Sequence, residues 1–129
     1  MLSRRALLAA SIAALSFHAA LAGGPPTPFD QSAFEAAQKA GKPILVEITA
    51  PWCPVCAAQK PIIEKLRTDP RFKELEIFNV DFDTQKELVR RFGAHLQSTL
   101  ICFKGTQETG RSIGETQAEW IEQLLEKTL

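Results

Sequence analysis

The sequence predicts a single α/β domain, a four-stranded mixed sheet with helices on both faces. Three observations carry that expectation. Helical and strand-like patterns alternate in the order αβαβαββα. The run at residues 44–49 is apolar or β-branched at every position but Glu47, as suits a strand covered on both faces. Directly after it, Cys53-Pro54-Val55-Cys56 delivers two cysteines to the start of a helix.

Taken in order, residues 1–22 read as an export signal, 23–29 as a linker and 30–129 as the folded domain. Ser3-Arg4-Arg5 is a basic start, residues 6–17 an apolar run, and Ala20-Leu21-Ala22 a small-x-small cleavage site. The apolar run falls short of the roughly 20 residues that a membrane span needs. An uncleaved N-terminal anchor is the alternative. The arginine pair followed by Ala6-Leu7-Leu8 is similar to a twin-arginine signal. Export would place the chain in an oxidising compartment, most simply a bacterial periplasm. Glycine and proline dominate the linker.

Asp30 or Ser32 can cap the first helix, the latter in a capping box with Glu35, and Gly41 stops it. No convincing strand precedes that helix. The second helix runs from Pro54 to about Thr68, with Pro61 expected to kink it and Asp69-Pro70 to end it. A strand over residues 76–81 follows. Thr84 with Glu87 makes a second capping box, ahead of an inward stripe of Leu88, Val89 and Phe92. Residues 99–103 form the next strand, which turns at Lys104-Gly105-Thr106 into an antiparallel edge strand near residues 108–113. Thr116 with Glu119 opens the last helix, whose inward stripe is Trp120, Ile121, Leu124 and Leu125.

Composition narrows the function classes. With 45% hydrophobic and 23% charged residues the chain has a normal globular balance, which argues against disorder. Formal charge is zero and no basic run occurs, so nucleic acid is not an expected partner.

Chemistry concentrates around the cysteines. At a helix N-terminus after an exposed turn the sulfur is reachable, and the macrodipole and unpaired N–H groups favour a thiolate, which makes Cys53 the nucleophile, with Cys56 deeper. Cys56 lies one turn on along the same face, where its sulfur can meet that of Cys53 and resolve a mixed disulfide. A structural disulfide and a soft-metal site, for copper(I) or an iron–sulfur cluster, are the other readings of the pair. A single C-x-x-C with no second one weighs toward redox chemistry. Strand alternation points Glu47 beneath Cys56, where a buried carboxyl with a raised pKa could accept the buried thiol's proton; an edge-exposed glutamate is the plain alternative. Cys102, in a nearly continuous apolar strand, reads as a buried inert thiol. His95 reads as a surface histidine, with a metal or proton role as the alternative.

Lys42 to Glu47, Trp52 to Cys56, Pro61, Phe92-Gly93, Ser98-Thr99-Leu100 and Phe103-Lys104-Gly105 together resemble the thioredoxin superfamily in spacing and order, over roughly residues 30–129. The resemblance implies the thioredoxin fold and a protein-disulfide oxidoreductase that needs no organic cofactor and no resident metal. It implies periplasmic protein thiols or disulfides as partners, a membrane thiol electron donor if the protein works as a reductase, and a monomer. Cys53, Cys56 and Glu47 would be catalytic. Trp52, packed over the disulfide, would shape the substrate surface with Pro54, Ser98 and Thr99. Two departures stand out. Ser98 replaces the family's cis-proline, which implies a strained or trans bond and a site more open to water or metal. Asn79 stands near the place of a buried lysine, which would leave Glu47 without its usual cationic neighbour.

Overall fold

A computed structural model describes Gly24 and residues 26–129, so the expected export signal lies outside the described residues. The sheet holds five strands rather than the four expected. They are β1 (Thr27–Pro28), β2 (Pro43–Thr49), β3 (Glu76–Asp81), β4 (Thr99–Lys104) and β5 (Gln107–Ile113), in the spatial order β1-β3-β2-β4-β5. The added strand is two residues long and takes the end of the expected linker. Its only signature is parallel pairing with β3, opposite Phe78 and Asn79. Central β2 runs parallel to β3 and antiparallel to β4, and β4 is antiparallel to β5.

Among the described residues four α-helices cover the sheet: α1 (Gln31–Lys39), α2 (Pro54–Leu66), α3 (Lys86–Arg91) and α4 (Ala118–Glu126). Strand alternation sorts the core into two layers. Ile44, Val46 and Ile48 of β2 join Phe78, Val80, Ile101 and Phe103 against Phe34 of α1 and Val89 of α3. There Phe34 makes edge-to-face contacts with Phe78, Phe92 and Phe103, ring centroids 5.6 Å apart, the arrangement that ring quadrupoles favour. Leu45 turns the other way, packing with Ile77, Leu100 and Cys102 against Ile63 of α2 and Ile121, Leu124 and Leu125 of α4. Glu47, two residues after Leu45, therefore faces the α2 side.

Helix ends differ from the sequence expectation. Asp30 caps α1 by accepting the Ala33 N–H at 2.8 Å, so the Ser32–Glu35 box is not what starts it. Neither Thr84 nor Thr116 is a cap, because α3 and α4 begin later, at Lys86 and Ala118. Upstream carboxylates take the loose N–H groups instead. Asp81 accepts from Asp83 and Thr84 at 2.9 Å each, and Glu115 from Thr116 and Gln117 at 3.0 and 2.9 Å. α2 ends at Leu66, two residues early, and runs as one helix through Pro61, forgoing the bond that a residue with an N–H would donate there. Trp120 lies outside the inward stripe, 54% exposed, with its indole N–H donated to Gln117.

Gly105 makes the β4–β5 turn possible. Its φ is +59°, and an added Cβ would come within 3.2 Å of the Gln38 carbonyl oxygen and the Gly41 Cα. Only a residue without a side chain permits both the left-handed backbone and that approach.

Candidate active site

The C-terminal end of β2 leads through Ala50-Pro51-Trp52 to Cys53, the N-cap of α2, with Pro54 in the first turn. Cys53 and Cys56 form a disulfide, with Cα atoms 5.3 Å apart. The Cys53 sulfur also accepts the backbone N–H of Cys56 at 3.1 Å, so it occupies the position where a helix offers its unpaired donors. The same N–H and the helix dipole would stabilise a thiolate there once the bond is reduced.

Exposure does not distinguish the two sulfurs. Cys53 is 3% exposed and Cys56 8%, against the expectation of an open Cys53 above a deeper Cys56. Ala50, Val55 and Phe82 pack around them. What separates the cysteines is the cap position.

Glu47 lies on the expected face, buried, in a cavity of about 700 Å³ that Cys53, Cys56, Ile63, Lys60 and Asn79 also line. Burial holds its carboxyl pKa above the ordinary glutamate value; a hydrogen bond from Asn79 and the charge of Lys60 oppose that rise, while Glu64 adds to it. Asn79 sits opposite Glu47 in the β2–β3 register and also bonds the Thr49 hydroxyl, its Nδ2 donating at 2.8 Å. Glu47 thus has an amide as its hydrogen-bonded neighbour and a cation, Lys60, on the facing helix.

Of the four residues expected to meet a substrate, two are at the surface and two are not. Pro54 is exposed. Trp52 is 58% exposed, and its indole N–H donates to Asp83 at 2.7 Å, tying the cysteine turn to the loop after β3. The side chains of Ser98 and Thr99 are buried, and the Thr99 hydroxyl donates to the Leu96 carbonyl at 2.7 Å. No peptide bond among the described residues is cis, and Ser98 takes a left-handed backbone with φ +57°. Of the two alternatives for that bond, trans is the one found. Ser98 is itself enclosed.

Cys102 is fully buried and unpaired, and burial pushes its thiol pKa up to about 12. His95 is exposed and lines a separate cavity with Phe82, Lys86, Val89 and Ala94. Among the described residues no group of three or more His, Cys, Asp or Glu side chains is placed to hold a metal ion.

Asp83 and Gln59 support the site, and sequence reasoning missed both. Gln59 is buried on α2 three residues after Cys56, and its amide donates to the carbonyls of Ser98 and Glu115, at 3.2 and 2.9 Å. An amide at a position that the helical period turns inward was the available signal.

Comparison with known proteins agrees with this geometry. The crystal structure of Trxlp from Edwardsiella tarda EIB202 superposes with a TM-score of 0.76 at 40% identity, covering 78% of this chain and 98% of that one. The protein disulfide-isomerase erp38 of Neurospora crassa is 38% identical over 80% of this chain and 27% of its own length. A thioredoxin of Aspergillus fumigatus is 29% identical over 62% of this chain and 73% of its own. The chain thus spans about three quarters of that thioredoxin and about a quarter of the isomerase. The sequence profile of the Thioredoxin family matches residues 26–127. With nearly all of the domain inside that match, and a cysteine pair closed into a disulfide at the head of α2, the chain belongs to the thioredoxin family and is a disulfide oxidoreductase.

Proposed function

We propose that this chain is an exported oxidoreductase that reduces or exchanges disulfides in periplasmic proteins, with Cys53 as the attacking sulfur. The observation that carries the assignment is the Cys56 N–H aimed at the Cys53 sulfur, since a cap donor lowers the pKa of the thiol it faces. In the reducing direction the Cys53 thiolate attacks a client disulfide. One client thiolate leaves, and a Cys53–client disulfide forms. Glu47, as the carboxylate, then takes the Cys56 proton, and the Cys56 thiolate attacks the Cys53 sulfur. The second client thiolate leaves, the client has gained two electrons and the Cys53–Cys56 disulfide is restored. The shared cavity supports the proton step, because it gives Glu47 both the cysteines and a way to pass the proton to water.

A membrane dithiol would return the pair to its reduced form, and the protein would act as a monomer. The basic start, apolar run and small-x-small site of residues 1–22 support export. Trp52 and Pro54, exposed beside the disulfide, are proposed to touch the client through their side chains. Ser98 and Thr99 would do so through backbone atoms.

Trapping tests the assignment. Cys56→Ser should accumulate mixed disulfides with client proteins and Cys53→Ser none; the reverse pattern would exchange the two roles. Direction is read from the reduction potential, a value near about −270 mV indicating a reductase and near about −120 mV an oxidase.

A further inference from the structure

The inward face of α2 runs Cys56, Gln59, Ile63, and the middle member is an amide only 2% exposed. Such a group is stable only where its hydrogen bonds are met. Its Nε2 donates to two carbonyls from different segments, Ser98 just before β4 and Glu115 just after β5. Ser98 is also the only non-glycine residue with a positive φ among the described residues. A residue with a Cβ keeps that backbone only where its surroundings hold it. The hold is visible: the Ser98 carbonyl oxygen accepts from Gln59 and from the backbone N–H of Gly114, at 3.2 and 3.0 Å. The second donor is main chain, whereas the first depends on one side chain. Thr99, next in sequence, pairs with Ile48 near the end of β2, so the loop at 94–98 lies at the end of the sheet from which β2 leads to the cysteines.

Resting on the oxidoreductase reading above, we propose that Gln59 is a positioning residue for client recognition. By holding Ser98 in its left-handed conformation it fixes the 94–98 loop, with His95 and Leu96 exposed on it, relative to Cys56 one helical turn away. It acts on how a protein chain docks and leaves the exchange between sulfurs alone.

The test uses Gln59→Met, which keeps the length of the side chain and removes the donor. Two substrates are compared, insulin and a small aromatic disulfide. The KM for insulin should rise about tenfold with kcat little changed, the effect of losing the buried hydrogen bonds that hold a docking loop in place. Turnover of the small disulfide should stay as it was. The carbon shifts of Ser98 should leave their left-handed values. Adding Ser98→Gly should restore most of the insulin KM, since glycine takes a positive φ without being held. Gln59→Asn, one methylene too short to reach, replaces the methionine variant if that one does not fold. Equal losses on both substrates, or a lowered melting point with an unchanged insulin KM, would overturn the proposal and leave Gln59 a structural residue. Absence of rescue by glycine would overturn it as well. Failure of the unsubstituted protein to reduce either disulfide would instead refute the oxidoreductase reading, and this inference with it.

Discussion

Replacing Glu47 by glutamine separates its energetic cost from its chemistry. Burial raises the carboxyl pKa, and the Asn79 hydrogen bond and Lys60 only partly oppose it. The folded protein therefore holds this proton more tightly than the unfolded chain. Stability linked to Glu47 is fully present below the unfolded pKa and is lost as pH rises through the folded one. Above its folded pKa an ionised Glu47 works against folding, and Glu47→Gln should relieve that by about 1–2 kcal/mol, the lower part of the range for a buried polar group. For a domain of this size that is a rise in melting point of roughly 4–8 °C per kcal/mol. Unfolding of the oxidised protein at about pH 4 and about pH 8 isolates the effect, because the disulfide removes Cys53 and Cys56 from the titration and only the higher pH should show the gain. In single-turnover exchange the same substitution should slow resolution of the mixed disulfide by about 100-fold, while initial attack by Cys53 changes far less. An equal stability change at both pH values, or equal slowing of both steps, would refute the reasoning.

Two further outcomes follow from the site's geometry. Ser98→Pro should destabilise the fold by about 2–3 kcal/mol, because proline fixes φ near −65° where the backbone now stands at +57°; an unchanged urea midpoint would show that the loop accepts a second conformation. Cys102, buried with its thiol pKa pushed up to about 12, should stay unlabelled by iodoacetamide at neutral pH until the protein is unfolded, while Cys53 of the reduced protein labels first. Mass mapping checks both, and early labelling of Cys102 would contradict its placement.

What could be read from the sequence was what short-range pattern determines. The apolar run of β2 and the proline after Cys53 located the central strand, the start of α2 and the face on which Glu47 lies. The burial of Cys102 followed from its apolar neighbours. β1 was illegible because two residues, one of them proline, carry no periodicity, and only pairing with the distant β3 makes them a strand. The capping boxes at Thr84 and Thr116 fit the local pattern but lost to Asp81 and Glu115, whose carboxylates take the N–H groups of the preceding turns. Trp120 sits one residue before Ile121, about 100° around the helix from the true stripe of Ile121, Leu124 and Leu125. Cys53 looked exposed because it follows a turn, yet the packing of Ala50, Val55 and Phe82 encloses it. The bonds of Gln59 join residues 39 and 56 positions away, beyond the reach of any local rule.

Insulin reduction in the presence of dithiothreitol tests most directly whether Cys53 and Cys56 are a working redox pair. The unsubstituted protein should accelerate precipitation of the insulin B chain well beyond dithiothreitol alone, and Cys53→Ser should remove the acceleration entirely. No acceleration by the folded, fully reduced protein, or full activity in Cys53→Ser, would contradict the account.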